Sequence, residues 1–417
     1  MPEQTFDGII CIGGEDWWYH NRGHFDFQIM RRLAGDWPVL FVNSLGLRMP
    51  SLSDNRLFTQ RISRKLKSLA RGLHNVENHF WVFSPLTVPG ESGQKLSKWA
   101  LAPQIKLAAW RAGIRRPLLW VHCPAGAALL DEMGQVATIL QRTDRFEAFP
   151  EADGDLVIRQ IEALKQAADV VVYAAPHLLQ EETGAVRRSV LVSHGVDFDR
   201  FAQAGRRSGA GPADVALLPA PRIGFIGGID EHTFDRQLFL GVAAAMPDCQ
   251  FVLVGGCSLP EDWCSLANVH QLGRKPYETV ARYMAAMDVL LMPWNSSEWI
   301  KACNPVKLKE YLAVGRPVVT RDFAALAPWR DLLHVADDVP GFVAGIRGAL
   351  DAPPNHAAAA VAAAAARLVD ETWDAKTRLL CQEFSDMGLR YSANAKAGQC
   401  ENRGNEEYQG DYGRPVV

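Results

Sequence analysis

The stretch VLLMPWNSSEWIKACNPVKLKEYLAVGRPVVT (289–320) reads as a strand, a long loop, a short helix and a second strand. Asn304 suits a helix N-cap, and Pro305 suits the first helical position, where its missing N–H costs nothing. Lys307, Glu310 and Tyr311 then fall on the first turns. Gly315 supplies a left-handed stop, and Val318-Val319 resumes an extended apolar run. A helix N-terminus carries unpaired N–H groups and about half a positive charge, so it attracts a phosphate. Lys307 adds a full charge beside it. Glu310, three residues on, shares that side of the helix and suits the paired hydroxyls of a ribose. The same residues also describe an ordinary capped helix with a solvated lysine and glutamate, and helix physics leaves both readings open.

Working outward, 417 residues exceed one ordinary core and predict two domains of about 150–200 residues. A composition 48% hydrophobic and 22% charged is that of a globular chain, and a net charge of −3 gives no pull towards nucleic acid. The eight cysteines show neither a CxxC pair nor a metal-ligand spacing, so reduced thiols, a cytoplasmic setting and no metal are expected. No signal peptide or spanning helix is expected either.

The chain opens with a βαβ pattern: a strand at 8–12 (GIICI), a helix at about 23–33 and a strand at 38–42 (PVLFV). The loop between, EDWWYHNRGH (15–24), offers Trp17, Trp18, Tyr19, His20, Arg22 and His24 as a cleft lining. Tryptophan faces stack on sugar rings and Arg22 suits an anion. Packing of the tryptophans under the loop, with His20 solvated, is the competing reading. Residues 55–76 hold six basic residues, no acid, and apolar residues at helical spacing. They predict a basic amphipathic helix that lies on an anionic membrane surface, or else an ordinary packed helix with a solvated basic face. Further strands are expected at 79–85, 117–121 and 137–140, with a helix near 97–112. The strand at 137–140 ends in Gln141-Arg142-Thr143-Asp144, which places a carboxylate beside an arginine for general-base work or for capping the next turn. His122, also at a strand end, reads as structural. After a Gly-rich linker (206–214), a second βαβ series begins with RIGFIGGID (222–230), where Gly227-Gly228 lets backbone approach a phosphate. Helices are expected at 357–368 and 373–384, and disorder from 392.

Two Rossmann-like halves with nucleotide chemistry in the second resemble the GT-B glycosyltransferases. NPVKLKEYLAVGRPVV (304–319) resembles the nucleotide-sugar segment of the family 4 type, VSHGVDFDRF (192–201) its interdomain stretch, and 268–294 its Leu-Gly to Pro segment. FWVFSPLTVP (80–89) and DRFEAFPEAD (144–153) are similar to envelope-polysaccharide enzymes of the teichuronic acid glycosyltransferase type. QRTD (141–144) resembles a strand end of the xanthan-type glucuronosyltransferase, whose aspartate is the proposed base. Two departures stand out. Ala302 replaces the first glutamate of the family's pair, and no basic residue follows Gly228 before Arg236.

The resemblance implies an α/β fold of two Rossmann-like domains facing a cleft. It sets an acceptor-side domain at 1–203, a donor domain at 204–368, a helix at 369–391 crossing back to the first, and a tail at 392–417. It implies metal-independent transfer of a sugar from a nucleotide donor to a lipid-linked or polysaccharide acceptor in bacterial envelope or exopolysaccharide synthesis, with no cofactor. The enzyme is expected to be cytoplasmic, at the inner-membrane face. Donor contacts fall to Gly227, Gly228, Gly273, Arg274, Asn304, Lys307 and Glu310. Asp144 and Arg142 take the catalytic side, and Trp17, Trp18, His20, Arg22 and His24 the acceptor side. A nucleotide-sugar epimerase and a non-catalytic partner of the same fold are the rival readings.

Overall fold

The computed structural model describes residues 3–20, 22–45, 55–87, 91–148, 154–182, 184–207, 211–297, 300, 303 and 306–393, without the side chains of 55–62, 91–98 and 148. The apolar runs become strands buried on both faces, as parallel sheets require. The first part of the chain supplies β1 (Gln4–Phe6), β2 (Gly8–Ile12), β3 (Val39–Val42), β4 (Leu73–Glu77), β5 (Phe80–Phe83), β6 (Pro117–Val121), β7 (Ala137–Arg142), β8 (Val170–Tyr173) and β9 (Ser189–Leu191). They form a sheet in the order β4-β5-β3-β2-β6-β7-β8-β9, parallel except for β4 against β5, with β1 set apart. The second part supplies β10 (Arg222–Ile226), β11 (Gln250–Val254), β12 (Val269–Gln271), β13 (Val289–Met292), β14 (Val318–Thr320) and β15 (His334–Val335). Their order is β12-β11-β10-β13-β14-β15, all parallel.

Each sheet reverses its winding once. The chain runs outward from β2 through β3 and then returns to β6 on the other side of β2. It does the same from β10 to β13. In open parallel sheets the crevice at the carboxyl ends beside such a reversal is where ligands bind. The topology alone therefore marks two places: the residues after β2 and β6, and those after β10 and β13.

Two passes of backbone join the domains. Val192 packs in the first core, whereas Val196 and Phe201 pack in the second. On the return, Leu368 still belongs to the second core, and Trp373, Leu380 and Phe384 of the helix Trp373–Asp386 are buried in the first. The chain closes with β16 (Leu389–Tyr391) parallel to β1. The crossing helix expected at 369–391 is present but shorter, Trp373–Asp386, with a single turn at Val369–Glu371 before it and β16 after it. The helix Phe198–Arg206 lies so close to Val306–Val314 that a Cβ on Gly205 would sit 2.0 Å from the Val314 carbonyl oxygen, so only glycine fits there.

The basic helix expected over 55–76 is shorter. It runs Asn55–Ala70, and Gly72 at φ +59 turns the chain into β4, which pairs with β5. Apolar residues at 69 and 73 kept the helical spacing, but a left-handed glycine ends a helix more decisively than spacing extends it. The tail expected to be disordered lies, from 394 onward, outside the described residues.

Candidate functional site

At the second reversal, three glycine turns and two cations converge. A Cβ on Gly255 would lie 1.7 Å from the Gly227 carbonyl oxygen, so the turns after β10 and β11 touch backbone to backbone. The Lys307 side chain lies across Gly227, with its Cε 2.5 Å from where a Cβ would be. The Arg274 guanidinium lies across Gly256 in the same way, its Nε at 2.6 Å. Gly273 takes φ +68, which turns the chain out of β12 and sets Arg274 in that position. Two positive side chains thus flank adjacent glycine turns that carry no side chains of their own. Arg274 supplies the basic character that the sequence after Gly228 lacks.

The helix Val306–Val314 starts at this point. Tyr311 anchors it from below, since its hydroxyl accepts from the Ile226 N–H at 2.8 Å at the end of β10. Glu310, one turn in, is only 6% exposed. Neither Lys307 nor Glu310 has a hydrogen-bond partner among the described residues. Burial raises the pKa of Glu310, opposed by Lys307 and assisted by Asp197. Burial lowers that of Lys307, opposed by Glu310. Both charges are therefore held at a cost, and a buried carboxylate without donors is uncommon in a finished core. Asn304 lies outside the described residues.

The first reversal presents a different chemistry. Gly14 lets the His122 ring lie against the backbone, where a Cβ would meet it at 2.7 Å. His122 Nδ1 is 3.1 Å from Asp26 Oδ2, and its Nε2 is 2.9 Å from Thr143 Oγ1. Gly14 N–H donates to the same Asp26 oxygen at 3.1 Å. Burial opposes charge on His122. The Asp26 charge and hydrogen bond, with Asp144 and Glu15, outweigh it and raise the histidine's pKa. Asp26 is lowered against its own burial by the same pairing. The sequence, which reads His122 as structural, gives no place to Asp26. The available signal was a lone acid among Phe25, Phe27, Ile29 and Met30 in FDFQIM (25–30). Asp144 follows at the end of β7, half-buried; burial, with the Asp144 charge adding to it, pushes the Cys303 thiol up to about 12. The aspartate's charge is therefore felt by the segment that leads into the helix bearing Lys307 and Glu310.

Several expected site residues lie elsewhere. Arg142 is fully buried, paired with Glu182 at 2.6 Å and Glu147 at 3.0 Å, so its guanidinium is spent on structure. It reaches Asp144 only through the backbone carbonyl, at 3.0 Å. Trp17 is fully buried against Phe27, Phe41 and Phe80, and is core. Trp18 stacks under Arg71 with 4.4 Å to the ring centroid, which consumes one face. His20 is tied to Glu15 at 3.0 Å on the surface. Arg22 meets Glu278 of the second domain at 3.5 Å and spans the crevice as a clasp. Of the aromatic loop, His24 alone stays accessible beside the His122 pair, and desolvation of its ring, with the His20 and His122 charges, lowers its pKa against the pull of Asp26 and Glu15. Among the described residues no group of three His, Cys, Asp or Glu is arranged to hold a metal ion.

His194, on the crossing between domains, has a buried Nδ1 with no hydrogen-bond partner among the described residues. Burial, then Lys309 and the His24 and His122 rings, lower its pKa to about 3. An unfolded histidine titrates near ~6.5, so between these values the unfolded chain binds the extra proton. This contribution is complete above about pH 6.5 and is lost as the pH falls towards 3, by on the order of 1 kcal/mol per pH unit. Urea unfolding at a series of pH values should show that slope, and His194→Asn should flatten it. An identical slope in the variant would show that another group titrates.

Residues 220–371 match the family model described as Glycosyl transferases group 1. TuaH of Bacillus subtilis (strain 168), which bears the name of a teichuronic acid biosynthesis glycosyltransferase, is 32% identical over 166 residues. That match spans 37% of this chain and 40% of TuaH, well short of that relative's whole length. Among solved structures, sucrose-phosphate synthase from Thermosynechococcus elongatus superposes with a TM-score of 0.59 at 17% identity, covering 92% of this chain and 99% of that one. Anabaena Alr3699/HepE, solved with UDP-glucose, gives 0.61 at 11% identity, covering 91% and 100%. An alpha,alpha-trehalose-phosphate synthase from Burkholderia vietnamiensis gives 0.60 at 11%, covering 93% and 99%. Together with the two reversed parallel sheets and the returning helix, these likenesses show that the chain has the GT-B fold, with residues 220–371 similar to the glycosyl transferases group 1 family.

Proposed function

We propose that the chain is a glycosyltransferase that moves a sugar from a nucleotide donor to a lipid-linked or polysaccharide acceptor of the bacterial envelope. The observation that carries the reading is Glu310: a buried carboxylate without a donor among the described residues, one turn inside a helix whose start, with Lys307 and Arg274, gathers positive charge at paired glycine turns. A nucleoside diphosphate satisfies all of these groups at once. Its ribose hydroxyls donate to Glu310, and its diphosphate takes the cations and the helix start. In the transfer, an acceptor oxygen bonds to the anomeric carbon as the bond from that carbon to the diphosphate breaks. The charge that builds on the leaving oxygen falls where Lys307, Arg274 and the helix start stabilise it. The acceptor's proton goes to Asp144 in an inverting transfer; in a retaining one it passes to the departing diphosphate oxygen, and Asp144 is a contact to acceptor or sugar. The envelope acceptor is supported by the name of TuaH, and a reducing cytoplasmic setting by the seven described cysteines, all unpaired.

A thermal-shift and hydrolysis screen across UDP-, GDP- and dTDP-sugars tests the reading, because a bound nucleotide raises stability by RT ln(1 + [L]/Kd). One donor class should stabilise the chain and be turned over; a chain indifferent to every donor overturns the proposal. Asp144→Asn should lower kcat by about a hundredfold or more while leaving donor affinity intact, as removal of a general base does. Unchanged kcat would remove Asp144 from the chemistry and leave the donor site standing.

A further inference from the structure

From Trp99 onward the helix Glu91–Arg111 carries large apolar residues on its outward face as well as its inward one. Leu101, Ala102, Ile105, Ala108 and Ala109 pack into the first domain's core. On the opposite side Trp99 is 85% exposed, Leu107 52% and Trp110 58%. Trp99, Pro103, Lys106 and Trp110 follow the helical repeat and form one outward stripe, with Leu107 and Arg111 beside it. Helices of a globular domain show water a polar face, and exposed large apolar patches mark contact surfaces. Leu86, 67% exposed, extends the patch, since Gln104 holds both its backbone groups, at 3.0 and 3.3 Å. Two residues earlier, Ser84 is bonded to Ser68 of the helix Asn55–Ala70 at 2.6 Å, so the segment after β5 ties onto that helix before it reaches Leu86.

Charge selects the occupant. Residues 92–130 contain six basic residues and no acid, and residues 55–76 likewise, in a chain whose net charge is −3. A second copy of the same face would set these like charges against each other. An anionic bilayer complements them, while tryptophans seat at its interface and lysine and arginine reach its headgroups. We infer that the first domain docks on anionic lipid through the Trp99–Trp110 stripe, with the basic helix Asn55–Ala70 alongside. The inference stands without the transfer activity.

The full chain would be sedimented with phosphatidylcholine vesicles containing about one third phosphatidylglycerol, and with phosphatidylcholine alone, at ~0.1 M salt. Binding should be about tenfold or more tighter to the anionic vesicles. Trp99→Ser/Leu107→Ser/Trp110→Ser should weaken that binding about tenfold with an unchanged thermal midpoint, because all three side chains are exposed. Lys106→Glu/Arg111→Glu should erase the preference for anionic lipid. Equal binding by the triple variant, or no binding to anionic vesicles, overturns the proposal. So does a doubling of mass with concentration that the triple variant abolishes, since a second copy then covers the stripe.

Discussion

Glu310→Gln should lower kcat/KM and donor affinity by about a hundredfold or more, and should leave the unliganded protein as stable as before or more so. The two effects share one cause. In the unliganded chain this carboxylate is 6% exposed, has no donor among the described residues, and feels Lys307 as its attracting charge and Asp197 as a repelling one. Keeping it ionised costs free energy, which a neutral amide of the same shape does not. A bound ribose supplies two hydroxyl donors, and hydrogen bonds to a charged acceptor contribute about 1.5–3 kcal/mol each. Losing them costs on the order of 3 kcal/mol, roughly a hundredfold in affinity. Calorimetric titration of the donor and urea unfolding of the free protein measure the two halves separately. A variant that binds donor normally but unfolds more easily would show that Glu310 is structural, and the ordinary capped-helix reading would then hold.

How much of this was legible beforehand follows from the range of each interaction. Local rules find the strand at 8–12, the helix start near 306 and the glycine stop at 315, because each depends on neighbours within a turn or two. They fail at Gly72, where one left-handed residue overrides a continuing apolar spacing. They fail also at Trp17 and Arg142. A tryptophan or arginine in a loop beside a crevice carries the same local signal whether it points outward or inward, and the partners that decide come from far along the chain. For Trp17 these are Phe41 and Phe80, and for Arg142 Glu182. Asp26 with His122 is the same lesson reversed, a pair separated by 96 residues that only the sheet reversal brings together. Arg274 sits between these cases. Its place after a glycine turn is visible in the sequence, but its position over Gly256 depends on the contact between the turns of β10 and β11.

Lys309→Met should be the most destabilising single change at the crossing. The Lys309 ammonium is 4% exposed and donates to the His194 carbonyl and to the Glu371 carboxylate. Those partners lie on the two passes between domains, which also pair with each other: Val196 N–H donates to the Glu371 carbonyl at 2.9 Å and Trp373 N–H to the Val196 carbonyl at 3.1 Å. One side chain therefore ties both passes to the helix that carries Lys307 and Glu310. The two partners' pKa shifts point opposite ways as to whether the pair is favourable. Burial lowers Lys309 despite Glu371, whereas Glu371, against its own burial, is lowered by Lys309 and Lys376. The difference is one of depth: Glu371 is a quarter exposed and has two cations, while Lys309 is deeply buried. A pair of this kind adds little net stability, but removing one partner is costly, typically ~3–5 kcal/mol. Because Glu371 keeps Lys376 at 3.0 Å and some solvent, about 2–3 kcal/mol is the expected loss here. Glu371→Gln in the Lys309→Met background should restore part of it, since the stranded charge is then gone. A double-mutant cycle in urea should give a coupling of about 1–3 kcal/mol. Strict additivity would mean that the two residues only share a neighbourhood. Loss of donor affinity alongside the stability in Lys309→Met, recovered in the double variant, would show that the crossing sets the position of the donor helix.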